Sequence, residues 1–142
     1  MENDSSSAKS ANGLKDKKIL IVEDDTFLHT LLSAKLKQLR DKGVEVFPTL
    51  NAESAYEMAK KNKPDVMLLD LAMPGKHGLD FLSELRQEEE FKNLPVIILS
   101  NMSGDEDRKR AAELGVIGYF VKADFALDEL VEKISGVLQG NE

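Results

Sequence analysis

Cysteine and tryptophan are absent from this chain of 142 residues, and histidine occurs only twice, at His29 and His77. Without cysteine there is no disulfide framework, no thiolate zinc site and no cysteine nucleophile, and the sequence suits a reducing, cytoplasmic setting. Long hydrophobic runs are missing too. The purest aliphatic stretches, ILIV, VMLL and VIIL, are four residues each, far short of the roughly 20 that span a bilayer. The amino terminus, MENDSSSAKSANGLKDKK, lacks the apolar middle of a signal peptide. Positive charge is in deficit: 19 basic against 26 acidic residues give −7, the wrong sign for gripping a phosphate backbone. A membrane protein and a direct nucleic-acid binder are therefore not expected.

What is there is ordinary for a globular protein: 42% apolar and 32% charged residues, in a length that supports one domain. Residues 1–17 carry four serines and balanced charge, Lys9, Lys15 and Lys17 against Glu2, Asp4 and Asp16, and read as a flexible tail. Removing those three acidic and three basic groups leaves 23 acidic and 16 basic in residues 18–142, so the whole net charge belongs to the fold. The expected domain runs over residues 18–138, with 139–142 as a short C-terminal tail and no output domain.

Short aliphatic runs alternate with segments of helical period. Strands are expected at 18–22, 44–47, 66–69, 96–99 and 117–121. The first helix should bury Phe27, Leu28, Leu31, Leu32, Leu36 and Leu39 and end at Gly43. Asn51 is placed to cap a helix carrying Ala52, Ala55, Tyr56 and Ala59, which Pro64 closes. Further helices follow at 79–86, at 104–114 before Gly115, and at the end, where Leu127, Leu130, Val131, Ile134 and Leu138 share a face. Strands apolar along their whole length are buried on both faces, as in a parallel sheet between helical layers. Five such units are too few for a closed eight-stranded barrel, so the expected fold is a doubly wound (βα)5 three-layer α/β sandwich. Ligands of such sheets sit at the carboxyl ends of the strands.

Those ends carry Glu23, Asp24 and Asp25 after the first strand, Asp70 after the third, Ser100 after the fourth and Lys122 after the fifth. Acidic residues are common helix caps at such turns, but Asp70 is followed by Leu-Ala-Met-Pro-Gly, where no helix begins. Carboxylates crowded together repel unless a cation compensates, and a hard divalent ion such as magnesium takes one or two carboxylates together with phosphate oxygens. A lysine and a hydroxyl nearby suit the remaining oxygens of a phosphoryl group. The set describes phosphoryl chemistry on a carboxylate.

The segments Ile19-Leu-Ile-Val-Glu-Asp-Asp25, Val66-Met-Leu-Leu-Asp-Leu-Ala-Met-Pro-Gly-Lys-His-Gly78, Pro95-Val-Ile-Ile-Leu-Ser100 and Gly118-Tyr-Phe-Val-Lys122 resemble the receiver domain of two-component response regulators, over residues 18–138. The resemblance implies a flavodoxin-like sheet in strand order 2-1-3-4-5. It implies that Asp70 is the phosphoacceptor and that Glu23, Asp24, Asp70 and the backbone carbonyl of Ala72 hold Mg2+, with Mn2+ able to substitute. It implies that Lys122 and Ser100 contact the phosphoryl group, and that Ser100 and Tyr119 form the switch to the face of helix 4, strand 5 and helix 5. The implied donor is a sensor histidine kinase or a histidine phosphotransfer protein, and the implied output is a contact with a downstream protein. The chain would be a monomer or a phosphorylation-dependent dimer, a single-domain phosphoacceptor that assists its own modification rather than a turnover enzyme.

Asp25 reads as the cap of the first helix rather than a metal ligand, and both histidines read as exposed. The run Asp105 to Arg110 leaves only Ala111, Ala112 and Leu114 to anchor its helix, which suits a movable element. Three departures from the family pattern involve four positions: Ala123 stands where proline usually follows the lysine, Asn101 where a small residue is usual, and Ala72 and Met102, at the variable positions flanking the site, are both apolar. The last pair predicts a long-lived phosphoryl form. A haloacid-dehalogenase-like phosphatase would need its nucleophile where Glu23 stands. A dinucleotide-binding module would need a G-x-G-x-x-G after the first strand, and there is none. A receiver-like module that is never phosphorylated would not need the full set Glu23, Asp24, Asp70, Ser100 and Lys122.

Overall fold

The computed structural model describes residues 13–101 and 104–140. Five strands, β1 (Lys18–Val22), β2 (Glu45–Thr49), β3 (Val66–Asp70), β6 (Val96–Ser100) and β7 (Gly118–Val121), form one sheet in the order β2-β1-β3-β6-β7. Every neighbouring pair in that sheet is parallel. Between β3 and the next helix, β4 (Ala72–Met73) and β5 (Lys76–His77) make a small antiparallel hairpin turned by Pro74 and Gly75, the latter at φ +82°. The helices are α1 (Thr26–Lys35), α2 (Lys37–Arg40), α3 (Ala52–Asn62), α4 (Gly78–Arg86), α5 (Asp105–Glu113) and α6 (Leu127–Leu138). This is the expected doubly wound sandwich in the expected strand order.

Alternation along each strand builds two cores. Leu20, Val22, Met67, Leu69 and Ile98 face one side, where Ala55 and Ala59 of α3 and Leu79 and Leu82 of α4 cover them. Ile19, Ile21, Leu68, Ile97 and Leu99 face the other, under Leu32 of α1, Leu36 and Leu130 and Ile134 of α6. Because both faces are covered, the three inner strands β1, β3 and β6 are apolar along nearly their whole length. The chain leaves β1 toward β2 and then returns past it to β3, so the crevice between the carboxyl ends of β1 and β3 is the switch point of this sheet.

The structure corrects the sequence reading at two places. Phe27 is 70% and Leu31 37% exposed, although both were expected in the core with Leu32, Leu36 and Leu39. A helix turns about 100° per residue, so the row through Phe27 and Leu31 lies one step round from the row through Leu28 and Leu32 and faces solvent. The helix also breaks at Leu36 into α1 and α2. Second, residues before Lys18 take part in the fold. Leu14 is 2% exposed inside the second core, and the Asp16 N–H donates to the Gly43 carbonyl at 2.9 Å. The expected tail of residues 1–17 is thus part of the fold from Gly13 on, and the rest of it, 1–12, lies outside the described residues.

Candidate functional site

Four polar groups of interest are the last residue of a strand or the first beyond it. Asp70 ends β3 and Ser100 ends β6, while Glu23 follows β1 and Lys122 follows β7. Three are almost completely buried: Glu23 at 1%, Asp70 at 2% and Ser100 at 0% exposure. Asp24 beside them is exposed. The parallel register brings Asp70 opposite Leu99 and Ser100 opposite Val121, so neighbouring strands deliver these side chains to one edge of the sheet.

Lys122 organises the carboxylates. Its Nζ lies 2.8 Å from Glu23 Oε1, 3.0 Å from Glu23 Oε2 and 3.3 Å from Asp70 Oδ2. Burial raises the Glu23 carboxyl above its ordinary value; Lys122 opposes that and the nearby Asp70 charge adds to it. Burial alone would lower the Lys122 ammonium, but the two carboxylates outweigh it and its pKa is raised. Asp70 Oδ1 accepts the Ala72 N–H at 3.1 Å, which fixes the carboxylate against the start of the hairpin. Glu23 Oε2 accepts the Asp25 N–H at 3.0 Å.

Carboxylate oxygens of Glu23, Asp24 and Asp70 lie within 4.8 Å of one another. One lysine neutralises only one of these three charges. Glu23 Oε1, although near the ammonium, is buried without a hydrogen bond of good geometry. An oxygen-only donor set with surplus negative charge and an under-satisfied buried oxygen fits a hard divalent cation. The cleft of about 380 Å3 lined by Ala52, Tyr56, Phe81 and Leu85 lies between α3 and α4, away from these carboxylates.

Asp25 caps α1, accepting from the N–H groups of Phe27 at 2.9 Å and Leu28 at 3.2 Å, as its position predicts. Tyr119 is half-buried and hydrogen-bonded to Ser100, and the Arg108 guanidinium of α5 lies 4.5 Å from its ring centroid. Burial raises the Tyr119 phenol above its ordinary pKa, with the Ser100 hydrogen bond opposing. Ala72 and Asn101 are exposed, the bond from Lys122 to Ala123 is trans, and Met102 lies outside the described residues.

Four contributors were not evident in the sequence. The Thr49 hydroxyl donates to the Ile21 carbonyl at 2.7 Å, and the Thr49 carbonyl accepts the Glu23 N–H at 3.1 Å, tying β2 to the acidic turn. Neither histidine is merely exposed. His77 caps α4 by accepting the Leu79 N–H on Nδ1, and His29 reaches back from α1 to the carbonyls of Glu23 and Thr49. Gly78 lets α4 start against the Asp70 turn: a Cβ there would stand 2.6 Å from the Asp70 carbonyl oxygen and 2.8 Å from Leu71 Cα.

Among known proteins, the family of the response regulator receiver domain matches residues 19–135. The phosphate regulon transcriptional regulatory protein PhoB of Escherichia coli is 31% identical over 123 residues, 87% of this chain and 52% of that relative. The chain thus spans about half the length of that relative. The sensor histidine kinase CheAY of Helicobacter pylori is 33% identical over 122 residues, 84% of this chain and 15% of the kinase. The signal receiver domain of a DNA-binding response regulator from Colwellia psychrerythraea superposes with a TM-score of 0.79 at 27% identity, covering 87% of this chain and 99% of that one. The non-phosphorylated HemR receiver domain from Leptospira biflexa gives 0.75 at 31% identity, covering 87% and 94%. A sheet in this order, an acidic crown at its switch point and a family match across most of the length lead to one assignment: the chain belongs to the response regulator receiver domain family.

Proposed function

We propose that this protein is the phosphoacceptor of a two-component pathway, with Asp70 taking the phosphoryl group from a histidine kinase or a histidine phosphotransfer protein. The observation that carries this is the buried Asp70 carboxylate, held on Oδ1 by the Ala72 N–H and faced on Oδ2 by Lys122, beside two further carboxylates. Glu23, Asp24, Asp70 and the Ala72 carbonyl would hold Mg2+, which supplies positive charge to the transferring oxygens.

Phosphoryl transfer is mostly positioning and charge stabilisation. An Asp70 oxygen attacks in line, forming the O–P bond as the N–P bond to the donor imidazole breaks and the imidazole leaves with the electron pair. Lys122, already bridging Glu23 and Asp70, offers its ammonium to the phosphoryl oxygens. Ser100, which ends the neighbouring strand, offers a hydroxyl, and its hydrogen bond to Tyr119 gives the modification a route to α5, β7 and α6. That face is the proposed contact with a downstream protein. In this reading the receiver occupies residues 18–138 with Leu14 packed beneath it, works in the cytoplasm, and modifies itself without turning over a substrate. Incubation with Mg2+ and radiolabelled acetyl phosphate should label the wild type, and Asp70→Asn should abolish the signal; full labelling of that variant would sink the assignment.

A further inference from the structure

The turn that carries Glu23 and Asp24 lies between β1 and the first turn of α1, with the Glu23 N–H donated to the Thr49 carbonyl and the Asp25 N–H to the Glu23 carboxylate. One tie comes from inside the helix. His29 Nε2 lies 2.5 Å from the Glu23 carbonyl oxygen and 3.2 Å from the Thr49 carbonyl oxygen. Both partners are acceptors only, so Nε2 must carry the proton and the ring is held in a single tautomer when neutral. The Thr49 carbonyl also accepts the Glu23 N–H, and the Thr49 hydroxyl binds back to Ile21. One imidazole thus pins the ends of β1 and β2 to α1 at the residue whose carboxylate meets Lys122 and Asp70.

We propose that His29 is a positioning residue of the phosphoacceptor site: its Nε2–H fixes the Glu23 backbone and thereby the placement of the Glu23 and Asp24 carboxylates. This rests on the phosphoacceptor reading for its consequence, Mg2+ binding, but not for its geometry. Partners that orient the groups around a metal without touching it typically contribute 10- to 100-fold in affinity, so losing this donor should weaken Mg2+ by roughly tenfold. Two substitutions separate donor from bulk. Gln places an amide N–H where the imidazole has Nε2, while Phe keeps the ring and removes the donor.

The test is an NMR titration of the 15N-labelled full chain with MgCl2, read at the Asp24 amide, for wild type, His29→Gln, His29→Phe and His29→Ala. Glu23 amide hydrogen exchange and the imidazole 15N shifts are recorded without metal. The expected result is an Nε2–H tautomer, near wild-type Mg2+ affinity and slow Glu23 exchange in the Gln variant, and about tenfold weaker binding with faster exchange in the Phe and Ala variants. An Nδ1–H tautomer, or a Phe variant that matches wild type while Gln does not, overturns the proposal. Should wild type show no Mg2+ response, the phosphoacceptor reading falls instead, and the clamp is judged by tautomer and exchange alone.

Discussion

Glu23 is the residue at which the site trades stability for chemistry. Burial and the Asp70 charge hold its carboxyl pKa above the ordinary 4.5, so the folded chain binds a proton there that the unfolded chain has already released. Stability falls wherever the folded state is the better proton binder and pH rises. The contribution of Glu23 is therefore full below pH 4.5 and is lost as pH climbs through its raised pKa. Lys122 works in a different window: its raised pKa contributes stability that persists below 10.5 and is lost only as pH rises through the folded value. Substituting Glu23→Gln removes the first dependence. Without divalent metal, the melting temperature of the variant minus that of wild type should grow from pH 4 to pH 7; a difference independent of pH would contradict the placement of this charge.

At the same scale lies the reason some of the site was legible in the sequence and some was not. Asp70 and Ser100 announce themselves because each terminates an uninterrupted aliphatic strand, where a polar group has no packing reason to be, and Lys122 because it follows the apolar run Tyr119-Phe120-Val121. His29 and Thr49 act through backbone carbonyls, which every residue carries, so no spacing of side-chain types marks them. Phe27 misled for the opposite reason: an aromatic at helical spacing counts toward a core whether or not its row faces one.

Among the elements, α4 and α5 differ in how they are held. The first buries Leu79, Phe81, Leu82 and Leu85; the second, of its nine residues, buries Ala111 alone. Polar contacts supplement α5 at its outer side, Arg108 over the Tyr119 ring and Arg110 to Asp80 at 2.6 Å. Exposed ion pairs add little, about 0–1 kcal/mol, so they do not replace buried apolar surface. Native-state hydrogen exchange should therefore show α5 amides opening well before those of α4, and equal protection would argue against α5 as the element that moves. The reverse holds at the start of α4, where Gly78 sits against the Asp70 carbonyl. Gly78→Ala forces backbone to move at Asp70 itself, at a cost of about 1–3 kcal/mol. Chemical denaturation should register that loss, and acetyl phosphate labelling should slow in the same variant; an unchanged denaturation midpoint would show that the turn can yield.

For the whole molecule, the proposed metal binding would be coupled to folding through the same carboxylates. The crown adds repulsion to a chain already at −7, and a cation bound only by the folded state stabilises it by mass action. At a hundredfold excess over its dissociation constant that amounts to about 2.7 kcal/mol, which for a domain of this size is a rise of roughly 5–10 °C in melting temperature. Chelation should reverse the rise, and Asp70→Asn should reduce it. A melting temperature indifferent to Mg2+ in the millimolar range would leave the acidic crown without its proposed ligand.

The outermost strand β2 contains Pro48, paired with Ile21. The N–H of Glu45 donates to Lys17 and the carbonyl of Thr49 accepts from Glu23, so the odd-numbered residues of β2 turn their backbone groups toward β1 and the even-numbered ones outward. Pro48 thus deletes a donor from the open rim of the sheet and none from the ladder within it. A second chain adding a strand there would find a gap in its hydrogen-bonding template, and proline at a rim is one of the ways proteins resist aggregation. One of the two edges of this sheet thus offers an incomplete template to any further strand, a second copy of the chain included.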